Sequence, residues 1–181
     1  MIQKSGFCEK QAVLTAAYAM CAAARTAPKT KGQDYLDTCV VSEDADLECL
    51  AAEMERLGEK LGYEFFLRDA GNIRASQAVV LIGTRYVWRG LNEGCGYCNQ
   101  VNCKACQENH SVCVYDPIDL GIAIGSAVSV AADHRIDNRV MFSAGKAALS
   151  LGWMGEEIRM IYAIPLSASG KSLYFDRKPR K

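Results

Sequence analysis

Hydrophobic and polar positions along the chain fall into alternating helical and extended patterns. Residues 7–25 are rich in alanine and predict a buried helix. That helix should stop before Pro28, because proline disfavours helical geometry in the residue ahead of it. Residues 27–34 then read as a loop and Leu36 to Val41 as a short strand. Residues 44–61 carry the clearest helical signal. Leu47, Leu50, Ala51, Met54, Leu57 and Leu61 share one stripe, with Glu53, Glu55, Arg56 and Glu59 off it. Ser42 or Asp44 is placed to cap its start, and Gly62 to end it.

The run Ala78 to Gly83 is apolar without alternation, which predicts a central strand covered on both faces. Asp116-Pro117-Ile118-Asp119 reads as a helix start, with Asp116 as cap and Pro117 in the first position. The helix from 117 to about 133 is apolar nearly all round and rich in small residues, so it is expected in the middle of a core. Residues 139–151 predict a helix in their second half, and residues 158–166 a strand. Helices and strands mix, so the class is α/β or α+β. The expected organisation is a single domain over residues 1–181, with residues 92–115 as an inserted cysteine-rich loop.

Composition narrows the function. The chain has 181 residues, enough for one domain with a sizeable core. Its 21 basic and 21 acidic side chains cancel, so no global field attracts nucleic acid or an anionic membrane. The basic tail Arg177, Lys178, Arg180 and Lys181 reads as solvated. No segment approaches the roughly 18 apolar residues of a membrane span, and the N-terminus lacks an apolar signal run. A cytoplasmic location with reduced thiols is expected. The two histidines, His110 and His134, read as surface residues, and no side chain stands out as a catalytic acid or base.

The cysteines change the picture. Cys8, Cys21, Cys39 and Cys49 sit singly among apolar neighbours and read as small buried hydrophobes. The others are clustered as Cys95-x2-Cys98-x4-Cys103-x2-Cys106, followed by Cys113. A C-x2-C pair brings two thiolates onto one metal or cluster face, and Gly94 and Gly96 permit the tight backbone that this needs. Cys103 and Cys106 can face the same way on one helical turn. A reducing compartment argues against disulfides. A [4Fe-4S] cluster fits a compact run of three thiolates with a fourth further along, and a four-thiolate zinc site is the alternative. The expected ligands are Cys95, Cys98, Cys103 and Cys113, with Cys106 as the spare and the rival for fourth place.

The segment Cys95-x2-Cys98-x4-Cys103, a later cysteine and then Asp119-Leu-Gly-Ile-Ala-Ile-Gly-Ser-Ala-Val resembles an uncharacterised prokaryotic family described as containing a ferredoxin domain. The order of elements over most of the chain is similar to the nitroreductase fold, an α+β three-layer arrangement whose mixed sheet is flanked by helices. Members of that fold bind FMN at a homodimer interface. Ala27-Pro28-Lys29-Thr30-Lys31-Gly32-Gln33 stands in the place of that fold's Ala-Pro-Ser-x-x-Asn-x-Gln loop. Lys29 replaces the common serine and Gly32 the common asparagine, and residues 1–10 lack the usual arginine pair. The resemblance implies FMN, with Lys29, Lys31 and Arg177 toward its phosphate and Gln33 and Asn72 toward the ring edge or ribityl chain. It also implies a homodimer and an electron-transfer partner protein. The function expected is electron passage between cluster and flavin or small-molecule acceptor. The alternative is a non-enzymatic binding or sensing protein with a metal-stapled loop.

Overall fold

Strand alternation sorts side chains to the two faces of a four-stranded sheet, and each face carries its own layer of helices. The computed structural model describes residues 1–175. Its elements run α1 (Ser5–Thr26), β1 (Leu36–Val41), α2 (Asp44–Leu61), α3 (Glu64–Arg74), β2 (Ala78–Thr84), α4 (Cys103–Glu108), α5 (Tyr115–Asp133), β3 (Asp137–Asn138), α6 (Phe142–Ser150) and β4 (Met160–Ser167). The sheet order is β1-β2-β4-β3.

On β2, Val79 and Leu81 face the layer of α2, α3 and α6, where Leu50, Met54, Phe66, Ile73 and Ala144 pack. Ala78, Val80 and Ile82 face the other layer, where Val13, Met20, Leu120 and Ala127 of α1 and α5 pack. Every residue of β2 is buried, as its unbroken apolar run requires. The three layers match the sequence expectation; the mixed sheet does not. Among the described residues, the three strand pairings are all antiparallel. The reason lies in α3, an element absent from the sequence reading. One helix between two strands carries the chain back for a parallel neighbour. The α2–α3 hairpin makes two passes, so β2 returns antiparallel to β1.

The predicted elements otherwise lie within a few residues of their expected places. Gly62 ends α2 with φ of 70°. Its start is different: Glu43 is the N-cap and makes no side-chain cap, while Asp44 and Asp46 occupy the first turn, where the helix dipole favours them. α5 begins at Tyr115, so Asp116 is inside the helix rather than its cap. Nor is α5 buried all round. Leu120, Ala123, Ala127 and Ala131 face the core, whereas Ile118, Gly121, Ile122, Gly125 and Ser129 form an exposed stripe. No helix among the described residues is long and apolar enough to cross a membrane.

Candidate metal centre

The chain leaves β2 at Thr84 and enters α5 at Tyr115, and the cysteine segment spans that gap. Its local geometry follows from the turn residues. Gly96 takes φ of 67°, a left-handed conformation that lets the chain reverse between Cys95 and Cys98. Asn102 caps α4, its Oδ1 accepting the Ala105 N–H at 2.9 Å. Cys103 and Cys106 are thereby fixed one turn apart on α4. The backbone N–H of Asn92 points to Cys103 Sγ at 3.3 Å.

All five clustered cysteines line one cavity, together with Trp88, Asn92, Tyr115 and their neighbours. Cys95, Cys98, Cys103 and Cys113 are therefore brought to a common space. So is Cys106, which is the most deeply buried of the five at 1% exposure. Its thiol donates to the Ser111 carbonyl at 3.4 Å. Burial pushes the Cys106 thiol up to about 11, with Cys98 beside it adding to the shift and the Trp88 indole opposing it. The four isolated cysteines depart from expectation. Cys8 and Cys49 are exposed, and Cys21 and Cys39 are half-buried. Cys8 and Cys49 fall on the outward sides of α1 and α2, so apolar sequence neighbours did not mean a buried position.

The base of the segment rests on buried charge that sequence reading missed. Arg89 is 3% exposed. Its Nη2 lies 3.0 Å from Asp116 Oδ1 and 3.0 Å from Asp119 Oδ2. Asp116 Oδ2 accepts the Val87 N–H at 3.0 Å. Asp119 Oδ1 accepts the Thr30 N–H at 3.0 Å and the Thr30 hydroxyl at 2.8 Å. Lys31 Nζ donates to the Arg89 carbonyl at 3.0 Å, and the Arg89 guanidinium stacks 4.7 Å from the Tyr35 ring centroid. The 27–34 loop, residues 87–89 and the first turns of α5 are thus one hydrogen-bonded unit. Asp116 and Asp119, three apart, are the sequence trace of this unit, since they share one helical side. Arg89 had no such signal.

The expected flavin residues are dispersed. Lys29 Nζ donates to the Ala24 carbonyl at 2.8 Å and also to that of Arg25, closing the C-terminus of α1. Lys31 lies at an exposed position and Gln33 is half-buried, both on the same loop. Asn72 lies in α3, in the opposite helix layer, at the end of β2 remote from that loop. Arg177 lies outside the described residues, as does the rest of the basic tail.

Residues 109–177 match the family described as an uncharacterized protein containing a ferredoxin domain (DUF2148). An uncharacterized protein from Archaeoglobus fulgidus is 41% identical over 181 residues, covering 96% of each chain. The chain belongs to this ferredoxin-domain family. Three solved structures are similar to it in fold. A nitroreductase with bound FMN from Desulfitobacterium hafniense superposes with a TM-score of 0.59 at 12% identity, over 87% of this chain and 78% of that one. A nitroreductase family protein from Clostridium novyi gives 0.58 at 13% identity, over 85% and 73%. The NADPH:FMN oxidoreductase of Vibrio harveyi, complexed with NAD+, gives 0.57 at 10% identity, over 92% and 63%. This member of the ferredoxin-domain family therefore has a nitroreductase-like fold, as the order of elements predicted.

The donor set is all thiol and suits a thiolate-bound metal centre. Among the described residues, no three of His, Cys, Asp or Glu converge at single-ion spacing. One zinc would draw four sulfurs to about 2.3 Å from a single centre. A [4Fe-4S] cluster gives each thiolate its own iron, so the sulfurs ring a space instead of meeting at a point. Five thiols lining one cavity supply the four thiolates that either arrangement needs, with one to spare.

Proposed function

We propose that this protein is a redox carrier holding a [4Fe-4S] cluster on Cys95, Cys98, Cys103 and Cys113, with Cys106 competing for the fourth place. The observation that carries the reading is the single cavity lined by all five cysteines. A buried indole N–H without a hydrogen-bond partner lies on the same wall. A cluster in this space supplies one-electron transfer, and FMN would couple it to two-electron chemistry on a small acceptor. Lys31 and Gln33 are the residues best placed to meet FMN, because both lie on the loop tied to the base of the cysteine segment. Lys29 and Asn72 would need a change of partner or a second chain to join them.

The chain's own groups supply the setting. The Arg89–Asp116–Asp119 unit holds the segment against α5. The Asn92 N–H favours negative charge on Cys103. We further propose a homodimer and an electron-transfer partner protein, in keeping with the nitroreductase-like fold.

Anaerobically purified protein is expected to be brown, with about four irons and as many sulfides per chain. Extractable FMN tests the flavin part separately. Cys98→Ser should lose the iron. Cys113→Ser and Cys106→Ser, compared side by side, assign the fourth thiolate: the true ligand's variant loses iron and the other keeps it. A protein loaded with zinc and free of iron would sink the cluster. It would favour a binding or sensing role for a metal-stapled loop.

A further inference from the structure

We propose that Trp88 donates its indole N–H to sulfur in the cysteine cavity and thereby raises the reduction potential of the cluster. This rests on the iron–sulfur reading and deepens it by naming a residue that tunes the potential.

Trp88 is held from both sides. The preceding residue, Val87, gives its N–H to Asp116. The following residue, Arg89, turns the other way, onto Asp116 and Asp119, with its carbonyl held by Lys31. The indole between these anchors lines the same cavity as the five cysteines. Its Nε1 is buried and makes no hydrogen bond of good geometry, although the indole lies close enough to Cys106 to oppose the rise of its thiol pKa. An indole nitrogen is a donor only, and a buried donor without an acceptor is rare in native structures. The cavity also holds side-chain oxygens of Asn92, Gln100, Asn102 and Tyr115, but those of Gln100 and Asn102 already accept from Asn109 and Ala105, and the group on which the indole acts is the Cys106 thiol. A neutral thiol is a poor acceptor; a cluster sulfide or iron-bound thiolate is a far better one, because it carries negative charge. Cys106, beside the indole, gives its own S–H to the Ser111 carbonyl, which leaves its sulfur open to a donor, and it becomes a strong acceptor as the fourth, iron-bound thiolate.

The consequence is directional. Reduction adds an electron to the cluster, and a fixed N–H dipole stabilises the more negative state. Removing the donor should therefore make reduction harder. In the iron-loaded protein, Trp88→Phe keeps a ring in the cavity and deletes the N–H. A potentiometric titration followed by EPR is expected to show the reduced state about tenfold less favoured, equivalent to about 59 mV for one electron, at unchanged iron content. A midpoint shift of less than twofold in equilibrium constant, with full iron, would overturn the proposal.

A second measurement needs no change at the site. The chain has two tryptophans, and the other, Trp153, lies by Cys39 and Val41 on the far helix layer. Trp153→Phe protein labelled with 15N-tryptophan isolates the Trp88 signal. Pulsed EPR of its reduced cluster should show 15N hyperfine coupling, and its absence overturns the proposal even where Trp88→Phe fails to fold. Iron-free protein would bring down the cluster reading and this inference together. Iron-loaded protein without the coupling brings down this inference alone.

Discussion

At the scale of single residues, the buried ion cluster beneath the cysteine segment is the feature with the most measurable consequences. One guanidinium faces two carboxylates, so the charges do not balance. Burial pushes Asp116 up to about 6; the Val87 N–H and Arg89 resist the shift, and Asp119 adds to it. Asp116 is fully buried, and its ordinary pKa in an unfolded chain is about 3.9. A carboxyl with a raised folded pKa binds a proton more tightly when folded. Its contribution to stability is therefore largest at low pH and is lost as pH rises through about 6. Asp116→Asn removes this titration. Urea unfolding of both proteins between pH 7 and pH 5 should show the wild type gaining about 1 kcal/mol on the variant as pH falls. A difference that stays flat across that interval would mean that Asp116 is ionised throughout.

At the scale of elements, packing tolerance is set by how closely backbones approach. α6 crosses β4 at Gly145, where an added Cβ would collide with the carbonyl oxygen of Ile161 and press on the Tyr162 backbone. The neighbour is main chain in a central strand and cannot move aside. Gly145→Ala is expected to cost about 3 kcal/mol by overpacking. Gly71, within α3, has open space where a Cβ would go, so Gly71→Ala should stabilise by up to about 1 kcal/mol. Chemical denaturation of the two variants checks the pair, and equal effects would refute the geometry. The same contrast explains what was legible from sequence. α2 shows itself through Leu47, Leu50, Ala51 and Met54 on one stripe, and its bounds, Asp44–Leu61, agree with the predicted residues 44–61. β2 shows itself as an unbroken apolar run. α3 escaped because Phe65 and Leu67 are exposed beside buried Phe66, which blurs the helical period. The two-residue β3 is too short to carry any pattern. Within the site, cysteine spacing marked the cavity wall, but spacing carries nothing about Trp88 or Arg89, which join it through chain reversal. The apolar sequence neighbours of Cys8 and Cys49 likewise misled, since burial depends on which side of the helix a residue takes.

At the scale of the whole molecule, the open stripe on α5 argues for a partner surface. Both sheet faces are already covered within one chain, yet Ile118 and Ile122 are each 42% exposed on a helix whose opposite side is core. Gly121 and Gly125 lie between and beyond them and are exposed as well. A second copy laid across this stripe about a two-fold axis would meet the same residues from both sides, as an isologous interface requires. The glycines would let the two helices approach closely, and the isoleucines would leave water at roughly 25 cal/mol per Å2 of apolar area buried. Sedimentation equilibrium at micromolar concentration is expected to give twice the chain mass. Ile122→Glu places a carboxylate on each side of that axis. Burying it without a partner is unfavourable, and the association constant should fall by at least about tenfold, equivalent to 1.4 kcal/mol. The variant's fold should persist, because Ile122 points away from both cores. Circular dichroism unchanged from wild type, together with a shift to monomer, would place the interface on α5. A wild type that sediments as a monomer would remove the dimer, and with it any flavin site shared between chains; the cysteine cavity, built within one chain, would be untouched.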